Sequence, residues 1–297
     1  MLLSFSTLAC PDWSWREVIE RGAEYGYDGV EVRMIERDTA LLQRTEFAPQ
    51  SLPARRRELA ETGFRVCGLA SSVRFDALDQ SERQSQLETG AGYLRLAAEL
   101  GAFFVRVFGD VLPPPESGRQ EPTIAAIAEG LDRLGELAAP LGIDVLIETH
   151  GDFMQSALLR QVLDRVASPR VGVVWDTHHP WRFHGEPVAE TFGRLTPWIR
   201  HTHWKDSVPI RRRDLSATEI AAEEEARRLM PGHHPADYVL FGEGEFPTGE
   251  CLRLLRGANY DGWYSYEWEK AWHPEIAPPE IALPPFPAAL RQLAAFS

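Results

Sequence analysis

A chain of 297 residues, 44% of them hydrophobic, can bury a large core, and its length suits one α/β barrel with insertions, so a single domain over 1–297 is expected. A formal charge of -13 and a pI near 5.2 argue against a nucleic-acid partner, because phosphate backbones are held by clustered Lys and Arg. Cys10, Cys67 and Cys251 lack CxxC spacing and point to reduced thiols in a cytoplasmic protein, while the apolar start Met1–Ala9 is too short to span a bilayer, so no membrane partner is expected.

Leu2–Thr7 reads as a first strand, and Asp12 or Ser14 opens an amphipathic helix ending near Tyr25-Gly26. The turn Tyr27-Asp28-Gly29 leads into Val30–Arg33, with Glu31 and Arg33 on one face and Val30 and Val32 on the other. A charged helix over Pro53–Gly63 precedes a strand at Arg65–Ala70, and a longer helix over Ser81–Leu100 precedes Phe103–Phe108. After the rigid Pro113-Pro114-Pro115, helical spacing over Thr123–Leu141 stops at Gly142, before the strand Ile143–Ile147. A helix over Ser156–Val166 follows, then the strand Val171–Trp175, a loop carrying Trp181-Arg182-Phe183-His184, a short helix Glu190–Leu195 and the strand Trp198–Thr202. A second Tyr-Asp-Gly turn, Tyr260–Gly262, introduces the eighth strand, Trp263–Tyr266; Pro278–Pro287 reads as extended, and Ala288–Ala295 as a closing helix.

Eight strands alternating with helices imply a parallel sheet. No Gly-rich phosphate loop follows an early strand, so the expected fold is α/β, a (β/α)8 TIM barrel, and not an open doubly wound sheet. The longest break in the rhythm, 207–247, holds the capping box Ser216-Ala217-Thr218-Glu219 and helix formers as far as Met230. Leaving the C-terminal end of the seventh strand, it is expected to be an inserted lid or rim over the active-site face, or a homo-oligomer contact.

Four strands end on metal-ligand chemistry: Glu148, Asp176, His203 and Glu267. By alternation each is the last residue of an inward set: Asp144, Leu146, Glu148; Gly172, Val174, Asp176; Ile199, His201, His203; Trp263, Ser265, Glu267. Three carboxylates converging at a barrel mouth repel unless a cation holds them ionised, so one divalent ion is expected. Three oxygens and one nitrogen suit Mn²⁺ first, with Mg²⁺, Co²⁺ and Zn²⁺ compatible.

The segments GYDGVEVR (26–33), LIETHGDF (146–153), WDTHH (175–179), HTHWKD (201–206), GEGEFP (242–247) and YDGWYSYEWE (260–269) resemble the xylose-isomerase-like TIM-barrel superfamily of sugar isomerases and epimerases. The resemblance implies metal ligation by Glu148, Asp176, His203 and Glu267, and substrate contact by His179, although strand parity favours His178. It also implies a sugar or polyol substrate, with Glu148 and Glu267 as the pair that removes and returns a proton next to a carbonyl through an enediolate. The chain has Ala70-Ser71-Ser72 and Phe108-Gly109-Asp110 where the nuclease branch carries further histidines, which argues against DNA repair.

His150 shares the inward face with Glu148 and is either a catalytic base, as in relatives that eliminate from oxo-sugars, or a hydrogen-bonded supporting imidazole. Lys205 and Asp206 orient substrate or pair with one another, Arg33 pairs with Glu31 or touches substrate, and Arg211–Arg213 meets an anion or is a solvated helix flank. Trp181, with Phe183, Trp204, Trp268 and Trp272, offers an aromatic face for a sugar ring or packs the rim. The expectation is therefore a metal-dependent sugar or polyol isomerase/epimerase. A lyase or dehydratase acting on an oxo-sugar, 3-oxo-glycoside or inosose is the alternative, and a non-catalytic metal- or sugar-binding barrel is the alternative of another class.

Overall fold

In the computed structural model, which describes residues 1–210 and 214–296, the apolar runs become strands β1 (Leu2–Ser6), β2 (Gly29–Val32), β3 (Arg65–Arg74), β4 (Phe104–Phe108), β5 (Asp144–Glu148), β6 (Val171–Asp176) and β7 (Ile199–Trp204). Short strands β8 (Asp206–Val208) and β9 (Asp237–Val239) follow, then β10 (Trp263–Tyr266). All strands but β8 and β9 pair in parallel and close in the order β1-β10-β7-β6-β5-β4-β3-β2. The chain is thus an eight-stranded TIM barrel. The helices are α1 (Trp15–Glu24), α2 (Leu52–Thr62), α3 (Gln80–Leu100), α4 (Gln120–Ala138), α5 (Ser156–Leu163), α6 (His179–His184), α7 (Val188–Leu195), α8 (Ala217–Leu229), α9 (Thr248–Gly257), α10 (Pro279–Ala282) and α11 (Phe286–Phe296).

Local signals explain most boundaries. Ser14 and Ser216 cap α1 and α8 as full capping boxes with Glu17 and Glu219, and Gly63 and Gly101 end α2 and α3 in the left-handed conformation that lacks a Cβ penalty. The Asp28 carboxylate of the first Tyr-Asp-Gly turn accepts the Leu3 backbone N–H at 2.8 Å, which ties the start of β2 to β1. The main core fills the layer between strands and helices, while Cys67, Phe104, Leu146, Val174 and Trp263 plug the bottom of the barrel. The metal-ligand carboxylates and imidazole stand above this plug, at the C-terminal end of the barrel interior.

Three expectations change. Pro278–Pro287 is not extended: α10 starts at Pro279, where the missing N–H costs nothing at a helix N-terminus, and α11 starts at Phe286. Trp181–His184 is not loop but lies in α6, for the same reason at Pro180. Lys205 and Asp206 do not pair with one another. They alternate across the end of β7, and Asp206 turns outward to accept the backbone N–H groups of Gly242, Gly244 and Phe246 at 3.0–3.1 Å. The GEGEFP stretch is thereby bound to the strand end, beside an antiparallel β8–β9 pair that the sequence pattern did not suggest. Arg211–Arg213 lies outside the described residues. Among the described residues, no helix is long and apolar enough to cross a membrane.

Candidate metal centre

The strand register explains how four separated residues meet. Asp176 pairs in register with His203, and His203 with Ser265, so Glu267 lies two residues further along its strand, on the same inward face. Glu148, the last residue of β5, pairs with Val174. The stagger of a closed barrel brings these ends together at its mouth. Ligand atoms of Glu148, Asp176, His203 and Glu267 all lie within 4.8 Å of one another, and all four residues are buried.

His203 Nδ1 is 3.1 Å from Glu148 Oε1, 3.2 Å from Glu267 Oε2 and 3.9 Å from Asp176 Oδ2. Its Nε2 faces Glu31 Oε2 at 2.8 Å, and the same oxygen meets His201 Nε2 at 2.9 Å. Glu31 thus points inward as expected, but its partners are the two imidazoles and not Arg33. Asp176 Oδ1 accepts the N–H groups of both His178 and His179 at 2.9 Å, leaving Oδ2 turned towards the other carboxylates.

Lys205, fully buried, reaches 2.8 Å from Asp176 Oδ2, 2.5 Å from Glu267 Oε2 and 2.7 Å from Glu269 Oε1. Its Nζ also donates to His179 Nε2 at 3.1 Å, which leaves the Nδ1–H of His179 to donate to the Thr149 carbonyl at 3.2 Å. His178 instead meets Ser207 Oγ at 2.7 Å among Trp181, Phe183, Tyr238 and Phe246. Parity misled here because the strand ends at Asp176 and the backbone turns into α6.

The charges are frustrated without a cation. Burial disfavours ionisation of all three carboxylates, yet Arg106 and His203 hold Glu148 below the usual range and His203 and Lys205 hold Glu267 well below it. Burial and the charges of Glu267 and Glu148 push Asp176 up to about 7. Burial likewise opposes a charge on His203, but Glu267, Glu31 and Glu148 raise its pKa well above normal. Three converging carboxylates and an imidazole nitrogen whose ligand atoms lie within 4.8 Å of one another fit a divalent ion. Glu148, Asp176, His203 Nδ1 and Glu267 would hold it. Glu31 would accept from His203 Nε2–H and fix the ring; such partners typically account for a 10- to 100-fold effect on metal affinity. Titration of Glu31→Gln with Mn²⁺ by calorimetry is accordingly expected to show binding weakened by about that factor, with one site per chain retained.

Around the cluster stand groups suited to substrate oxygens. His150 Nδ1 lies 3.0 Å from Asp110 Oδ1; although burial opposes its charge, that contact raises the imidazole pKa. Asp110 holds a left-handed backbone (φ 53°), and its carbonyl accepts the Asp152 N–H at 2.7 Å. Arg106 Nε is 3.3 Å from Glu148 Oε2, and its guanidinium lies 3.8 Å over the Phe108 ring. Arg33, fully buried, donates to Ser72 Oγ at 2.7 Å; its Nε and Nη1 and the Arg106 Nη1 have no protein hydrogen-bond partner. Burial and the Arg106 charge lower the Arg33 pKa to about 10. The innermost cavity is lined by Leu8, Arg106, Phe108, Glu148, His150, His179 and Glu267, and roofed by Met230 and His233. Trp181 is not among its walls; it packs against Phe246 at 5.4 Å in the rim. Trp204 and Trp268, which terminate or follow strands with outward parity, are buried in the outer layer. Asp110, Arg106, Glu269 and His233 were not anticipated from sequence. Only Arg106 carries a signal, an Arg on the inward face of a strand.

A family model described as xylose isomerase-like TIM barrel matches residues 19–291. An inosose dehydratase of Bacillus thuringiensis is 31% identical over 160 residues, 53% of this chain and 50% of the relative, so the chain spans about half the length of the curated relatives it matches. Among solved structures, the 3-keto-D-glucoside 4-epimerase of E. coli superposes with a TM-score of 0.70 at 17% identity, over 98% of this chain and 99% of that one. The IOLI protein with a bound zinc superposes with a TM-score of 0.74 at 17% identity, over 100% and 99%. At that identity the structural likeness is one of fold, and the family model carries the assignment: the chain belongs to the xylose isomerase-like TIM-barrel family.

Proposed function

We propose that this protein is a divalent-metal-dependent lyase that removes water from a keto-polyol of the inosose kind, with Mn²⁺ as the first metal to test. The observation that carries the reading is the Asp110–His150 pair, an acid–base couple whose imidazole lines the same cavity as Glu148 and Glu267. Dehydration next to a carbonyl breaks a C–H bond on one carbon and a C–O bond on the next, so it needs a base and an acid at different positions. Bound at Glu148, Asp176, His203 and Glu267, the ion would supply Lewis acidity to a substrate carbonyl. Glu148 takes the proton beside that carbonyl. His150, oriented by Asp110, gives a proton to the departing hydroxyl, which leaves as water while the C–H electron pair forms the new C=C bond. Arg106, which lines the cavity, offers its unpartnered Nη1–H to a substrate oxygen, and Arg33, buried behind it with free N–H groups, adds to the positive field. Phe108 and Leu8 keep bulk water from the carbanion-like centre. The match to an inosose dehydratase supports the reaction class.

Isomerisation or epimerisation is the second reading. It is favoured by Glu148 and Glu267 both facing His203 Nδ1, at 3.1 and 3.2 Å, as a proton-exchanging pair would. Incubating the Mn²⁺-loaded protein with inosose, psicose and 3-keto-glucoside in D₂O separates the readings. An unsaturated product lighter by one water supports the lyase. Deuterium uptake with formula retained overturns it in favour of the second reading, and no exchange with any of the three leaves a binding barrel.

A further inference from the structure

The cavity above the metal cluster offers only about 10 Å³, room for roughly one water, whereas ligand sites are commonly hundreds of cubic ångströms. A polyol needs more room than this cavity holds. The closure comes from one stretch: Met230 and His233, directly after α8, form the roof. Between them Gly232 lies on Gly151, so close that a Cβ on Gly232 would stand 2.4 Å from the Gly151 Cα and 3.4 Å from His150 Nδ1. Gly151 is itself left-handed (φ 57°), and a Cβ there would meet the Asp110 carbonyl at 2.2 Å. Two glycine backbones in contact, one on the roof and one beside the His150–Asp110 pair, make a seat that no larger residue fits.

Beyond that seat, the packing of α8 among the described residues is thin. Only Glu219 and Ala226 of α8 are buried, and open grooves of about 230 and 380 Å³ separate the helix from the barrel on its two sides. Its apolar anchorage is the small cluster of Leu8, Met34, Phe108, Ala226, Met230 and Trp272. The β8–β9 pair beyond it stays fixed through Asp206. Few buried contacts next to a firmly tied base are the conditions under which a segment opens as a unit.

His233 is 7% exposed, lines the cavity, and its Nε2 has no hydrogen-bond partner. Such an atom is costly unless something pairs with it. Burial and the nearby His273, His150 and Lys205 keep the ring neutral, so it can both donate and accept, as a hydroxyl requires.

We infer that residues 216–236 are a lid which opens to admit substrate and closes on the Gly232–Gly151 seat, and that His233 is the lid's specificity group, bonding a substrate hydroxyl. The substrate half rests on the keto-polyol reading above; the closure does not. Two measurements on the full-length Mn²⁺-loaded protein test them. Stripping of Mn²⁺ by EDTA, followed by stopped-flow, should be on the order of tenfold faster in Gly232→Ala, with melting temperature and metal stoichiometry as in wild type. An unchanged rate overturns the closure. With inosose, His233→Ala should raise KM about fivefold, the loss of one hydrogen bond to a neutral group, and His233→Asn should recover most of it while kcat stays within about twofold. Wild-type kinetics in His233→Ala overturn the specificity role. No exchange of inosose by wild type, with fast stripping in Gly232→Ala, overturns the substrate half with the dehydratase reading and leaves the closure standing.

Discussion

Replacing Lys205 by methionine is expected to lower the stability of the metal-free protein by about 3–5 kcal/mol, the cost of leaving buried charge unpaired. The ammonium is fully buried and lies within 2.8 Å of oxygens of Asp176, Glu267 and Glu269. Methionine keeps the length of the side chain, so little packing is lost and the change isolates the charge. Deprived of it, Glu267 and Asp176 are left facing His203 Nδ1 at 3.2 and 3.9 Å, without the ammonium between them and Glu269. A divalent ion supplies the same compensation, so Mn²⁺ at about 100 times its Kd should restore roughly 2.7 kcal/mol. Urea unfolding of both proteins, with EDTA and with Mn²⁺, reads the difference directly. A Lys205→Met protein as stable as wild type in EDTA would mean that the carboxylates are not held by this lysine.

The second large effect concerns the acid–base pair. His150→Gln should slow turnover of inosose by about 10²- to 10⁴-fold, the range for loss of a general acid or base. Asp110→Asn, which leaves the imidazole in place but without its orienting carboxylate at 3.0 Å, should cost less, about 10- to 100-fold. Because Asp110 acts through His150, the double variant should be no slower than His150→Gln alone. Neither residue is among the four candidate ligands, so Mn²⁺ affinity should stay within about threefold of wild type by calorimetry. Additive losses in the double variant would assign Asp110 a separate role, and a fully active His150→Gln would remove the lyase reading of this cavity.

Much of the barrel and its centre is legible in the residues themselves. Val171–Trp175 ending at Asp176 and Ile143–Ile147 ending at Glu148 are buried strands that stop on charge, and side-chain alternation decides which way that charge faces. The same rule failed one step beyond the strand, at His178 and His179, because α6 replaces a period of two by a helical one. It also could not say whether Lys205 and Asp206 meet, since neighbours at a strand end diverge.

Strand periodicity and the polar residue at each strand end therefore determined, by themselves, an α/β barrel with a cluster of carboxylates and imidazole at one end. Only the tertiary structure decided that Asp110 meets His150 across 40 residues, that Lys205 neutralises Glu269 as well as Glu267, and that Gly232 settles on Gly151. Local propensity acts over a few residues and repeats along the chain. Contacts between loops depend on where barrel closure places their ends, and no periodicity within either loop records the position of the other.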